Sequence, residues 1–273
     1  MTKIIADIIP YLKGDKLYGD DFSVNEIDSW FTAEQDGYFL LAQQDKVKYN
    51  YGYYALNFRH GFLYLPKKRF SHVLGIGSAY GDELRPILSQ SDTISILEPS
   101  DGFVTKDLEG VPVNYIKPLA TGIIPFENDS IDLVTCFGVL HHIPNVSKVV
   151  SELYRILKPG GYALIREPIV SMGDWRKPRF GLTKNERGIP ILIFREIITK
   201  NGLLIVKENK CLFSLTSRLK YLLSGSVYNN KLAVQLDAFL CTLPIWSKVY
   251  HAENVFQKLR PMSVFYVLQK PLI

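Results

Sequence analysis

Ser71–Gly81 reads SHVLGIGSAYG, and this stretch decides the fold. Val73, Leu74 and Ile76 form an apolar run that leads into a turn holding Gly77 and Gly81, after which the chain becomes acidic at Asp82-Glu83. The pattern predicts a buried strand, a tight turn and the start of a helix, with glycines where the backbone must bend sharply and approach a bulky ligand. A second apolar run, Thr93–Leu97, ends in Glu98. That acid follows the glycines by about 20 residues, the spacing at which a carboxylate at the tip of the second strand holds ribose hydroxyls. Together the two features predict an adenosine-type ligand at the edge of a parallel sheet. A glycine-containing loop without a ligand is the competing reading.

Downstream the pattern is regular. Candidate strands lie at 72–76, 93–98, 112–116, 131–137, 161–167, 203–213 and 263–269, with helices near 82–90, 146–157 and 190–200. The helix at 146–157 carries the clearest stripe (Val146, Val149, Val150, Leu153, Leu157), with Asn145 as its expected cap and Lys158-Pro-Gly-Gly161 as its stop. Such alternation implies a mostly parallel sheet covered on both faces, with ligands at the carboxyl ends of its strands. Upstream, residues 1–70 do not alternate. Ser23-Val-Asn-Glu26 reads as a capping box opening an amphipathic helix over about 23–45 that carries Ile27, Trp30, Phe31, Glu34, Tyr38 and Leu41. A tyrosine-rich stretch from Tyr49 to Tyr64 follows on an expected second helix. Its rings either pack the segment onto the core or, as a lid, line a pocket; Tyr53 is the candidate ligand contact. The chain thus divides into an N-terminal helical cap or lid at 1–70 and a ligand-binding domain at 71–273, with a loop at 168–190 and a helical insertion at 214–260.

The 273 residues suffice for one large domain with appendages. Three scattered cysteines, Cys136, Cys211 and Cys241, have no C-x-x-C spacing, which argues against a disulfide framework or zinc site and fits a reducing cytoplasm. No metal is called for. The sequence shows neither an apolar run of spanning length nor a secretory leader, so a cytoplasmic protein without a membrane segment is expected. The net charge of +5 allows an anionic substrate but is too diffuse to predict nucleic-acid binding.

Four stretches, in this order and spacing, resemble class I S-adenosylmethionine (SAM)-dependent methyltransferases: the glycine turn, Ile96-Leu97-Glu98-Pro99, the run Ile124-Pro-Phe-Glu-Asn-Asp-Ser-Ile-Asp132-Leu-Val, and Leu157-Lys-Pro-Gly-Gly161. They cover roughly Ser71 to Glu167. The resemblance implies an α/β, three-layer Rossmann-like fold with a mostly parallel seven-stranded sheet whose last strand is antiparallel. It implies SAM as cofactor and S-adenosylhomocysteine as product. By the same likeness the backbone around Gly77–Gly81, with Ser78 and Ala79, contacts the methionine part and Glu98 holds the ribose, and Gly75 and Pro99 belong to the cofactor-binding set. Ala120, Thr121, Phe137 and Gly138 complete the cofactor-binding set. Two positions depart from the family pattern, which usually has an acid where this chain has Gly75 and often one at Ala120. A dinucleotide oxidoreductase is the rival for the turn, but the third glycine of G-x-G-x-x-G is replaced by Tyr80.

Methyl transfer is an in-line displacement, and an acceptor hydroxyl or protonated amine must also lose a proton. His141 and His142, directly after the fourth strand, are the candidate bases, since imidazole titrates near neutral pH. The alternative is that one or both only orient backbone, since the pair resembles one found in many methyltransferases. The fifth strand opens at Glu167 into a long polar loop in which Trp175, Arg176, Arg179 and Arg187 suggest a substrate surface, arginines for phosphate or carboxylate and the indole for a sugar or ring. The expected function is methyl transfer to a hydroxyl or amine of a small molecule, anionic or sugar-containing: a sugar, a nucleotide-linked sugar or a natural-product intermediate. The alternatives are a protein or RNA methyltransferase and an inactive SAM-binding partner subunit. The apolar insertion at 214–260 either packs on the core, covers the substrate site or forms a homodimer interface.

Overall fold

The computed structural model describes residues 8–42, 49–175, 177, 179, 181–221 and 226–272. Eight strands form one sheet: β1 (Phe70–Ile76), β2 (Ser91–Leu97), β3 (Asp107–Leu108), β4 (Val111–Ile116), β5 (Ile131–Phe137), β6 (Leu157–Pro168), β7 (Leu204–Phe213) and β8 (Pro261–Gln269). Their order is β3-β4-β2-β1-β5-β6-β8-β7. β1 lies between β2 and β5, parallel to both, with Gly75 level with Ile96 and Thr135. β8 runs antiparallel between β6 and β7. All seven expected strands are present. The eighth is β3, a two-residue antiparallel pairing on the edge, too short to leave a sequence period.

Side chains alternate between two cores, as pleated strands require. Leu74, Ile76, Val134, Ile165 and Tyr266 pack under α4 (Val146–Ile156) and α5 (Ile191–Lys200). Val73, Leu133, Leu164, Phe265 and Val267 pack under α3 (Tyr54–His60) and α6 (Lys231–Thr242). Asp82–Gln90 is a 3-10 helix rather than the expected α-helix. Pro86 lies inside it and cannot donate to the preceding turn. β6 begins at Leu157, earlier than expected, so Lys158-Pro-Gly-Gly161 belongs to its irregular first part, where pairing with β5 shifts register.

The N-terminal segment consists of α1 (Ile9–Lys13) and α2 (Val24–Ala42). At the start of α2, Glu26 accepts from both the backbone N–H and the hydroxyl of Ser23, at 2.9 and 2.7 Å, so the glutamate half of the expected box forms. Ile8, Tyr18, Trp30, Trp175 and Tyr250 form a third apolar cluster that binds this segment to the loop after β6. The segment also caps α4. Asp20 accepts from the backbone N–H of Ser147 at 2.8 Å and from its hydroxyl. Asn145, the expected cap, makes no capping bond; its amide donates to Thr121 O at 2.9 Å. Among the described residues no helix is long and apolar enough to cross a membrane.

Candidate active site

At the carboxyl ends of β1, β2 and β5 a pocket lies between the glycine turn, Leu97-Pro99, residues 118–124 and the histidine loop, with Phe31 and Glu34 of α2 on its outer side. Gly77 is at φ +61°, and a Cβ there would come 2.6 Å from Val139, so only glycine fits. Its amide donates to Leu97 O at 2.8 Å, bringing the turn onto the tip of β2. Glu98 is buried there, accepting from the backbone N–H groups of Ala79 and Ser100 at 3.1 Å each. Burial raises its pKa against those bonds. The carboxylate is thus fixed beside the glycine turn. Pro99 and Ala120 line the same pocket; the Thr121 hydroxyl turns back to the Ile123 amide at 3.4 Å. Phe137 does not reach the pocket: it is buried against Phe62 and Phe265 in the α3 core. Gly138 serves the backbone, at φ +74°, with its amide on Arg166 O.

Gly75 is explained by packing. A Cβ at this position would lie 2.3 Å from Ser78 Oγ, so an acid has no room. A carboxyl arrives instead from Glu83, whose Oε1 accepts from Ser78 Oγ at 2.8 Å and from Thr135 Oγ1 at 2.7 Å. Burial pushes the Glu83 carboxyl up to about 7, more than the two hydroxyls and the Arg166 charge pull it down. No sequence spacing pointed to this residue.

The histidine loop is gripped from two sides. Glu167, 1% exposed, accepts from the amides of Val139 and Leu140 at 2.8 Å, from the His141 amide at 3.3 Å and from His141 Nδ1 at 2.7 Å. Arg187, fully buried, donates to the carbonyls of Tyr18, Leu140, His141, Ile143 and Pro144 at 2.9–3.2 Å. Trp30 Nε1 adds a bond to His142 O at 2.7 Å. With its imidazole between Glu167 and Glu186 Oε1, the latter 3.5 Å from Nε2, His141 is raised to about 9; burial works the other way, and the two carboxylates outweigh it. His142 is shifted down, by burial first and then by the charge of His141, whose ring lies 4.1 Å away; Glu34 Oε2, 2.9 Å from His142 Nδ1, opposes this only in part. So the pair divides into an imidazolium held between carboxylates and a neutral imidazole that lines the pocket.

These placements correct the expected substrate surface. Arg187 is a clamp inside the fold, and among the described residues its guanidinium donates to backbone carbonyls. Arg179 is the same kind of clamp, donating to the carbonyls of Met172, Thr183, Lys184 and Glu186. Trp175 is 8% exposed and stacks on Tyr18 at 5.1 Å. Arg176 lies outside the described residues. Glu167 positions the histidine loop rather than facing a ligand. Tyr53 is half-buried, stacked on Tyr228 at 5.5 Å, with the Arg166 guanidinium over its face. Loops rich in arginine satisfy their own carbonyls when long connections must be buried, and residue types alone do not reveal that.

Residues 74–165 match the family described as a methyltransferase domain. A ubiquinone biosynthesis O-methyltransferase of Shewanella pealeana is 41% identical over 66 residues, covering 24% of this chain and 28% of that protein. The chain spans about a quarter of the length of the curated relatives it matches. A SAM-dependent methyltransferase from Mesorhizobium loti superposes with a TM-score of 0.53 at 13% identity, over 78% of this chain and 97% of the other. Haemonchus contortus phosphoethanolamine N-methyltransferase 2, in complex with phosphomonomethylethanolamine and S-adenosylhomocysteine, does so with 0.53 at 19% identity, over 92% and 60%. At these identities the superpositions speak for the fold. The strand order and the superpositions agree on a class I, Rossmann-like methyltransferase fold, and within it residues 74–165 match a methyltransferase domain.

Proposed function

We propose that the protein transfers the methyl group of SAM to a hydroxyl or amine of a small molecule. The observation that carries the proposal is His142, a neutral imidazole lining the pocket between the glycine turn and Glu34. When bound, SAM supplies an electrophilic methyl on a sulfonium, open to in-line displacement. Gly77 and Glu98 would hold it, the first by close backbone approach and the second at the ribose. His142 then takes the acceptor's proton, while its Nδ1 faces Glu34 Oε2, which fixes the ring and steadies the imidazolium that forms. His141, already bonded at both nitrogens to carboxylates, positions this ring and is not the base. Phe31 and α2 close the outer side, which suits a small acceptor. A hydroxyl is favoured by the likeness to the O-methyltransferase of S. pealeana. The case for a sugar rested on Trp175, Arg179 and Arg187 and is given up with them.

The test is transfer from labelled SAM to a panel of small phenols, hydroxy acids and amines, with calorimetry of SAM and S-adenosylhomocysteine binding. His142→Ala is expected to bind SAM normally and to lose about 10²–10⁴-fold in kcat, the usual contribution of a positioned base. Equal turnover by the variant would remove His142 from the mechanism; no SAM binding by the wild type would remove the function.

A further inference from the structure

The tip of β6 sends consecutive charged side chains to opposite faces of the sheet. Glu167 goes to the histidine loop, and Arg166 to the face that carries α3 and α6. Arg166 is 7% exposed. Its guanidinium carbon lies 4.0 Å from the centre of the Tyr53 ring and 5.7 Å from that of Phe137, and Nη1 donates to Asn57 Oδ1 at 3.1 Å. Among the described residues no carboxylate is paired with it, and it makes no other hydrogen bond. The Glu83 carboxyl feels the Arg166 charge, but it is occupied by Ser78 and Thr135, and burial raises its pKa.

A guanidinium this deep without a counter-ion is costly, and its planar fork of donors matches a carboxylate with two parallel bonds. The position suits a ligand of the same edge. Arg166 is level with Phe137, its carbonyl accepts from Gly138, and the Ser78–Glu83–Thr135 link joins the glycine turn to this face. We propose that Arg166 is the receptor for a ligand carboxylate at this edge of the sheet, on the face opposite the histidine pair. Two sources share that chemistry: the amino-acid end of SAM and S-adenosylhomocysteine, and a carboxylate on the acceptor. The first rests on the SAM reading above, and there the Glu83 carboxyl is the complement of the α-ammonium group.

Calorimetry on the full chain separates the sources. Wild type, Arg166→Met and Arg166→Lys are titrated with S-adenosylhomocysteine and with 5′-methylthioadenosine, which keeps the adenosine and the sulfur but has no amino-acid end. If the carboxylate is the cofactor's, Arg166→Met weakens S-adenosylhomocysteine by about tenfold to a hundredfold and leaves 5′-methylthioadenosine unchanged, the size expected for bonds to a charged group. Intact binding of the second ligand also shows that the variant is folded. Arg166→Lys keeps the charge and loses the fork, so it falls between, and it decides the matter if the methionine variant does not fold. If the carboxylate is the acceptor's, S-adenosylhomocysteine binding is unchanged, and benzoate binds the loaded wild type but not the loaded variant. The proposal is overturned if neither S-adenosylhomocysteine nor benzoate binding responds to the substitutions. Failure of the wild type to bind either adenosyl ligand overturns the SAM reading instead, and benzoate on the ligand-free protein then judges Arg166 alone.

Discussion

Glu83→Gln isolates one buried ionisation. In the folded protein the Glu83 carboxyl holds its proton up to about 7, against an ordinary value of 4.5. Raised pKa of an acid means that the folded state binds the proton more tightly than the unfolded chain, so stability falls as pH rises between those two values. The full interval corresponds to about 3 kcal/mol lost by the wild type above the folded value, with most of it lost between about pH 5 and pH 8.5. Glutamine has nothing to ionise, and its carbonyl oxygen can still accept from Ser78 and Thr135. The variant should therefore match the wild type within about 1 kcal/mol near pH 5 and exceed its stability by about 2–3 kcal/mol near pH 8.5. Urea unfolding at the two pH values, without cofactor, measures the difference. A gap that stays constant with pH, or one that closes as pH rises, refutes the argument that desolvation governs this carboxyl.

Arg187→Met takes the side-chain donor from the carbonyls of Tyr18 and Ile143 and should lower stability by about 3 kcal/mol in urea unfolding, since each unsatisfied group costs about 1–3 kcal/mol. A loss below about 1 kcal/mol would show that the guanidinium is not the clamp. Asp20→Ala removes the cap of α4 and should cost about 1 kcal/mol, whereas Asn145→Ala, which leaves that cap in place, should not reproduce the exchange behaviour of the Ser147 amide. Hydrogen exchange at the first turn of α4 separates the two: faster exchange with Asn145→Ala alone would restore the cap to Asn145.

The parts of the fold that were legible in the sequence are those written over short distances. β1, β2, β5 and β8 announce themselves as apolar runs because both their faces are buried over most of their length, and Gly77, Gly81 and Glu98 are tied to the turn and strand tip by spacing alone. α4 showed its stripe because one face meets the core through every turn. Errors arose where a residue's partner is distant. Asn145 has the right chemistry for a cap, but Asp20, 127 positions from Ser147, fills the place. Arg179, Arg187 and Trp175 have the chemistry of a ligand surface, yet they are turned inward.

The sequence by itself determined the sheet, its covering helices and the glycine turn with its carboxylate, because strand burial, helix periodicity and turn geometry act within a few residues. Tertiary structure decided the character of the site. Arg187 is joined to Tyr18 across 169 positions and to Leu140 across 47, and only then does it become a clamp. His141 and His142 are adjacent and alike in sequence, and they part in charge because Glu167, Glu186 and Glu34 arrive from three other segments. A side chain's pKa and its free donors depend on what is packed around it, and that packing is a property of the folded chain.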